Sequence, residues 1–198
     1  MIKEIPGVAK GVVVYGASSR EIDERYMEAA RQAGRLLARR GVPVISGGGR
    51  GGIMQAVTEG ALEEGGVAVG VLPDFMMERG WNHPGLTHTL STGSMHERKA
   101  TMAALSRAAI AMPGGVGTLD ELFEIITWRQ LSLYKGTVVI CNVEGFYDRL
   151  LEHLEYTDSL NFMRAGGPSK LWRVAFSAEE AVSMALDNPL GEIPPLKY

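Results

Sequence analysis

The chain has 198 residues, a formal net charge of -3, a pI near 5.8 and a single cysteine, Cys141. That length can bury a substantial core as one domain, residues 1–198. The acidic balance without a basic stripe excludes the electrostatic footprint of a nucleic-acid binder, and one thiol excludes an internal disulfide. No apolar run approaches the roughly 20 residues of a membrane-spanning helix, and the opening MIKEIPGVAKG lacks an apolar targeting segment. A soluble cytoplasmic protein with no membrane or nucleic-acid partner is therefore expected.

In chain order, GVVVY (11–15) predicts a first buried strand. Residues 22–40 follow as a helix whose stripe is Tyr26, Ala29, Ala30, Ala33, Leu36 and Leu37. VPVIS (42–46) and VAVGVL (67–72) predict two more strands, with a helix over 53–64 between them. Residues 73–93, which carry Met76, Met77, Trp81, His83 and Pro84, read as a long irregular segment. A loop of that length serves as a flap over the core or as the wall of a substrate site. A helix over 95–107, a strand AAIAM (108–112), a helix over 119–131 and a strand TVVICN (137–142) come next, and helices over 146–156 and 178–186 close the series. The alternation implies an α/β fold, an open parallel sheet with helices on both faces.

Three strand ends carry glycine-rich loops: YGASS after the first, SGGGRGG after the second and PGGVGT after the fourth. Ligands of open parallel sheets sit beyond the carboxyl ends of the strands, so these loops should gather on one rim. Gly16, Ser18, Gly47, Gly48 and Gly114 are thereby candidate substrate contacts. A glycine turn that opens a helix leaves amides pointing one way, a seat for an anion. The first loop lacks G-x-G-x-x-G and a following ribose-binding acid, which argues against NAD. No Lys-Ser or Lys-Thr follows PGGVG, which argues against a magnesium-dependent P-loop. A nucleoside monophosphate, whose phosphate serves as a handle, fits what is left, with no metal and no cofactor required.

STGSMHERKATM has Ser94 and Glu97 at capping-box spacing, so Arg98 and Lys99 fall in the first turns of a helix. Cations there oppose the helix dipole, and a phosphate or a carboxylate should compensate them. Thr118 and Glu121 match the same capping spacing, so Glu121 is either a cap, a charge at the edge of a ligand, or both. Asp120, its neighbour, is expected to be a solvated acid.

SMHERKATM paired with PGGVGTLDELFEIITWRQL resembles the LOG family, the cytokinin riboside 5'-monophosphate phosphoribohydrolases, once labelled lysine decarboxylases. The likeness runs from YGASS through SGGGRGGIM to NVEGFYDRLL. The motif P-G-G-x-G-T-x-x-E is Pro113, Gly114, Gly115, Gly117, Thr118 and Glu121 here. The resemblance implies a Rossmann-like fold, a homodimer, and hydrolysis of adenine-type nucleoside 5'-monophosphates to base and ribose 5-phosphate. It implies Arg98 and Glu121 as catalytic residues, with Met95, Lys99, Gly115, Val116, Gly117, Thr118 and Thr127 lining the nucleotide site. A glutamate of the long loop helps bind substrate in related proteins. Glu78 is the candidate here, although MMERGWNHPGLTH departs from the usual acid-to-His spacing. Nothing points to a pyridoxal phosphate pocket.

Cleavage of a ribosyl bond builds oxocarbenium character on the sugar, which an anion such as Glu121 stabilises in the transition state. Two other readings stay open: a nucleotide-binding module without turnover, and an N-ribosyl hydrolase with another base preference.

Overall fold

The computed structural model describes residues 5–163, 167–191 and 193. Seven parallel strands form one sheet: β1 (Gly11–Tyr15), β2 (Val44–Ser46), β3 (Ala68–Pro73), β4 (His88–Thr92), β5 (Ser106–Ala111), β6 (Thr137–Cys141) and β7 (Arg173–Ala175). Their spatial order is β4-β3-β2-β1-β5-β6-β7. The helices are α1 (Glu24–Arg39), α2 (Gly52–Glu63), α3 (Asp74–Glu78), α4 (Met95–Ala104), α5 (Val116–Gln130), α6 (Asp148–Ser159), α7 (Pro168–Leu171) and α8 (Ala178–Leu186).

Strands β1, β2, β3 and β6 are buried at every position and mostly apolar because both faces of the sheet are covered. Val12 and Val14 point into a core with Ala33 and Leu37 of α1, Val57 of α2 and Val182 of α8. Val13 and Tyr15 point the other way, onto Met102 of α4, Leu122 and Ile125 of α5 and Leu154 of α6. This period-two split of a continuous apolar run is the expected Rossmann-like α/β sheet.

Three expectations change. Residues 73–93 are not irregular: they contain α3 and the edge strand β4, which pairs with β3 from Val69↔His88 to Pro73↔Thr92. HTLST carries no apolar run because an edge strand is only half buried, so periodicity alone missed it. The helix expected over 95–107 stops at Ala104, and Ser106 and Arg107 already belong to β5. Ser106 is buried at that junction, its Oγ donating to Ala103 O (2.9 Å) with Tyr134 Oη also 2.9 Å away. Finally, α7 and the short edge strand β7 were not foreseen, since three or four residues hold too little pattern to register.

Candidate active site

The chain builds outward from β1 through β2 and β3 to β4, then returns to place β5 on the other side of β1. A crevice opens where the winding reverses, beyond the carboxyl ends of β1 and β5. The glycine loops meet there. Ala17 N donates to Pro113 O (3.2 Å), and Ile53 N donates to Ala17 O (2.8 Å), tying the loops after β1 and β5 to the start of α2. Together with Met95 at the start of α4 they wall a cavity of about 770 Å³.

Of the residues singled out in the sequence, Gly16, Ser18, Gly47, Met95, Arg98, Gly115, Val116, Gly117, Thr118 and Glu121 line this cavity. Five others are not in its wall. Gly48 has φ +68°, and a Cβ there would lie 2.4 Å from Leu72 Cδ1; a Cβ on Gly114 would lie 2.1 Å from Thr118 Oγ1. Both glycines serve close packing behind the loops. Thr127 is exposed farther along α5, and Glu78 is exposed at the end of α3. Lys99 is buried, and its Nζ is held by Asp120 (3.0 Å) and Glu124 (3.2 Å).

The N-terminus of α5 corrects the capping expectation. Its cap is Gly115, in an extended conformation with no side-chain bond to the helix, and Val116, Gly117 and Thr118 form the first turn. Thr118 is therefore inside the helix, and Thr118 and Glu121 make no capping box. No acid occupies that first turn either, so this helix start, whose residues line the cavity, has no side-chain acceptor of its own. In α4 the box does form: Glu97 N donates to Ser94 Oγ (3.1 Å), and Glu97 Oε2 accepts from Gly93 N (2.8 Å).

The cations of α4 are compensated by acids of α5. Arg98 Nη1 contacts Glu121 Oε1 at 2.9 Å, and Arg98 Nε donates to Val71 O at 3.0 Å. The two side chains are only 7% and 12% exposed. Burial pushes the Glu121 carboxyl above its usual range, and the Arg98 guanidinium pulls it back only in part. Burial lowers the Lys99 ammonium, but Asp120 and Glu124 together outweigh that and leave it raised. Asp120 is thus not a plain solvated acid: it lines the cavity and anchors Lys99. The adjacent pairs Arg98–Glu121 and Lys99–Asp120 lock α4 to α5 across the site.

Arg20, Arg50 and Met54, which carried no assignment from the sequence, also line the cavity, and Met76 and Trp81 line it from the 73–93 segment expected as a flap or substrate wall. Arg20 Nη2 donates to Arg50 O (2.8 Å), joining the loops after β1 and β2. A signal was present: an arginine interrupting SGGGRGG at a strand end is hard to explain by turn geometry. The wall therefore carries both cationic and thioether-rich apolar groups. Among the described residues, no three His, Cys, Asp or Glu side chains gather to hold a metal ion. No helix among them is long and apolar enough to cross a membrane. Cys141 is buried in β6, and burial pushes its thiol up to about 12.

A family model described as "Possible lysine decarboxylase" matches residues 54–184. The chain is 38% identical over 152 residues to the cytokinin riboside 5'-monophosphate phosphoribohydrolase LOG of Oryza sativa subsp. japonica, covering 77% of this chain and 63% of that protein. It is 36% identical over 163 residues to the cytokinin riboside 5'-monophosphate phosphoribohydrolase of Rhodococcoides fascians, covering 82% of each. The match thus spans 58–63% of the length of three rice relatives. Among solved structures, the molybdenum cofactor binding protein of Rippkaea orientalis superposes with a TM-score of 0.68 at 20% identity, over 88% of this chain and 94% of that one. The molybdenum cofactor carrier protein of Chlamydomonas reinhardtii does so with 0.67 at 23% identity, over 88% and 94%. At these identities the likeness concerns the fold.

Proposed function

The chain belongs to the LOG family, and from that premise we propose that it is a phosphoribohydrolase acting on adenine-type nucleoside 5'-monophosphates, cytokinin nucleotides or AMP itself. The observation that carries this reading is the Arg98–Glu121 pair on the wall of the cavity, a turn along α5 from its uncapped N-terminus.

In this reading the amides of Val116, Gly117 and Thr118 hold the 5'-phosphate, and Arg20 and Arg50 make the approach attractive to an anion. The fixed phosphate aligns the ribose, so that binding far from C1' becomes orientation at C1'. Water adds at C1', the C1'–N bond breaks with its electron pair going to the base, and the base takes up a proton. Base and ribose 5-phosphate are the products. The Glu121 carboxylate faces the positive charge that develops on the sugar, and Arg98 holds that carboxylate in place through a charge-assisted bond.

A homodimer is part of the proposal. The outer stripe of α5 exposes Val116 (86%) and Phe123, and Leu133 (71%) follows just beyond the helix, an apolar face suited to a second copy of the chain. A cytoplasmic setting also belongs to the proposal, in keeping with the single buried thiol.

The test is a panel of nucleoside monophosphates assayed for free base. Adenine should be released from AMP and not from adenosine, because the site is built around an anion. Equal rates on adenosine would sink the phosphate handle. AMP binding without base release would favour a binding module, and preferential release from another nucleotide would move the base preference.

A further inference from the structure

We infer that Trp81 stacks on the base of the bound nucleotide and selects for a purine, a role that rests on the nucleotide-hydrolase reading of this cavity. Trp81 lines the cavity and is 42% exposed, so its indole surface is open to a ligand in that cavity.

Its position is built by the backbone. Helix α3 ends in a glycine cap: Gly80 has φ +63°, its N–H donates to Met77 O (2.9 Å), and Trp81 N donates to Met76 O (3.1 Å). These are the two bonds of a Schellman motif, which turns the chain back so that the residue after the glycine meets the last turn of the helix. Trp81 and Met76 are those two residues, and both face the cavity.

A second constraint ties Trp81 to the glycine loop after β2. Arg50 N donates to Trp81 O (3.2 Å), His83 N donates to Gly48 O (2.8 Å), and Gly49 and Asn82 form an antiparallel bridge. The backbone of Trp81 is therefore fastened directly to the glycine loop that lines the same cavity. Arg79 lies outside the cavity wall with its guanidinium 5.2 Å from the indole centroid, which backs the ring. A flat, backed aromatic in a cavity wall that also carries the thioethers of Met76 and Met54 matches the face of a nucleobase. A purine offers the larger stacking area.

Tryptophan emission gives a readout independent of turnover, since Trp172 is buried and Trp128 is half-buried. Titration of the wild-type protein with AMP should quench emission more than UMP does, and Trp81→Phe should abolish the AMP-dependent change. In the base-release assay, Trp81→Ala should raise KM for AMP about tenfold or more, with a smaller change in kcat, and should narrow the preference for purine over pyrimidine. Trp81→Phe keeps a ring and should recover most of the KM. Persistence of the AMP quench in Trp81→Phe, or wild-type KM and base preference in Trp81→Ala, overturns the assignment. A wild-type protein that shows the Trp81 quench but releases no base sinks the hydrolase reading and leaves the stacking assignment intact, with Kd for AMP then replacing KM in the same comparison.

Discussion

Glu121 has two neighbours that decide what it does: Arg98 at 2.9 Å and the apolar interior that buries it. Glu121→Gln keeps an oxygen to accept from Arg98 and loses only the charge. If the carboxylate stabilises the sugar cation, kcat should fall by about two orders of magnitude or more, roughly 3 kcal/mol, while the melting temperature shifts little. Near-normal turnover in that variant would end the catalytic assignment. The pH dependence carries a sign. Because burial raises this carboxyl in the folded state, kcat/KM should show an acid limb above the usual carboxyl value of 4.5. Stability should also decline as pH rises through the raised value, since the folded state favours the protonated form. Glu121→Gln should lack that decline when urea unfolding is followed against pH. Asp120→Asn is a milder change, because Lys99 keeps Glu124 at 3.2 Å. We expect a loss of about 1 kcal/mol or less for this half-exposed pair, and a far smaller effect on kcat than at Glu121.

Between elements, the contact of α1 with α2 shows how a packing detail reverses a local rule. Gly34 and Gly60 lie inside these helices, where alanine is the better helix former by about 1 kcal/mol, so propensity alone predicts that alanine stabilises. A Cβ on Gly34 would stand 2.2 Å from Val57 O, however, and one on Gly60 would stand 2.0 Å from Arg31 O. Both obstacles are backbone and cannot swing aside. Gly60→Ala should therefore lower stability by about 1–3 kcal/mol, read from the denaturant midpoint. An equal or higher midpoint would mean the helices separate freely. Since α2 begins at Gly52, beside the cavity, the same change should also raise KM for AMP.

For the molecule as a whole, the apolar outer face of α5 should be covered in solution. Sedimentation is expected to give twice the chain mass of 21.4 kDa, and Phe123→Glu combined with Leu133→Glu should shift the population toward single chains. A wild-type protein that sediments as a single chain at micromolar concentration would remove the dimer from the proposal. The sheet order also explains why the candidate site residues gather at one cavity. Loops from β1, β2 and β5 and the starts of α2, α4 and α5 converge only where the winding reverses.

The amino-acid sequence by itself determined the α/β class, five of the seven strands, the glycine loops and the candidacy of Arg98 and Glu121, because each is written in local pattern: apolar runs, turn residues and a motif of fixed spacing. Only the tertiary structure decided the rest. Edge strands β4 and β7 became visible through pairing, since half-exposed strands carry little apolar signal. Lys99 turned out to bind Asp120 and Glu124, and Thr118 turned out to lie inside α5, because partners on other elements and the start of a helix are settled by long-range packing. Arg20, Arg50 and Trp81 entered the cavity wall for the same reason: residues 30 or more positions apart in the chain become neighbours only once the loops are fastened to one another by backbone hydrogen bonds.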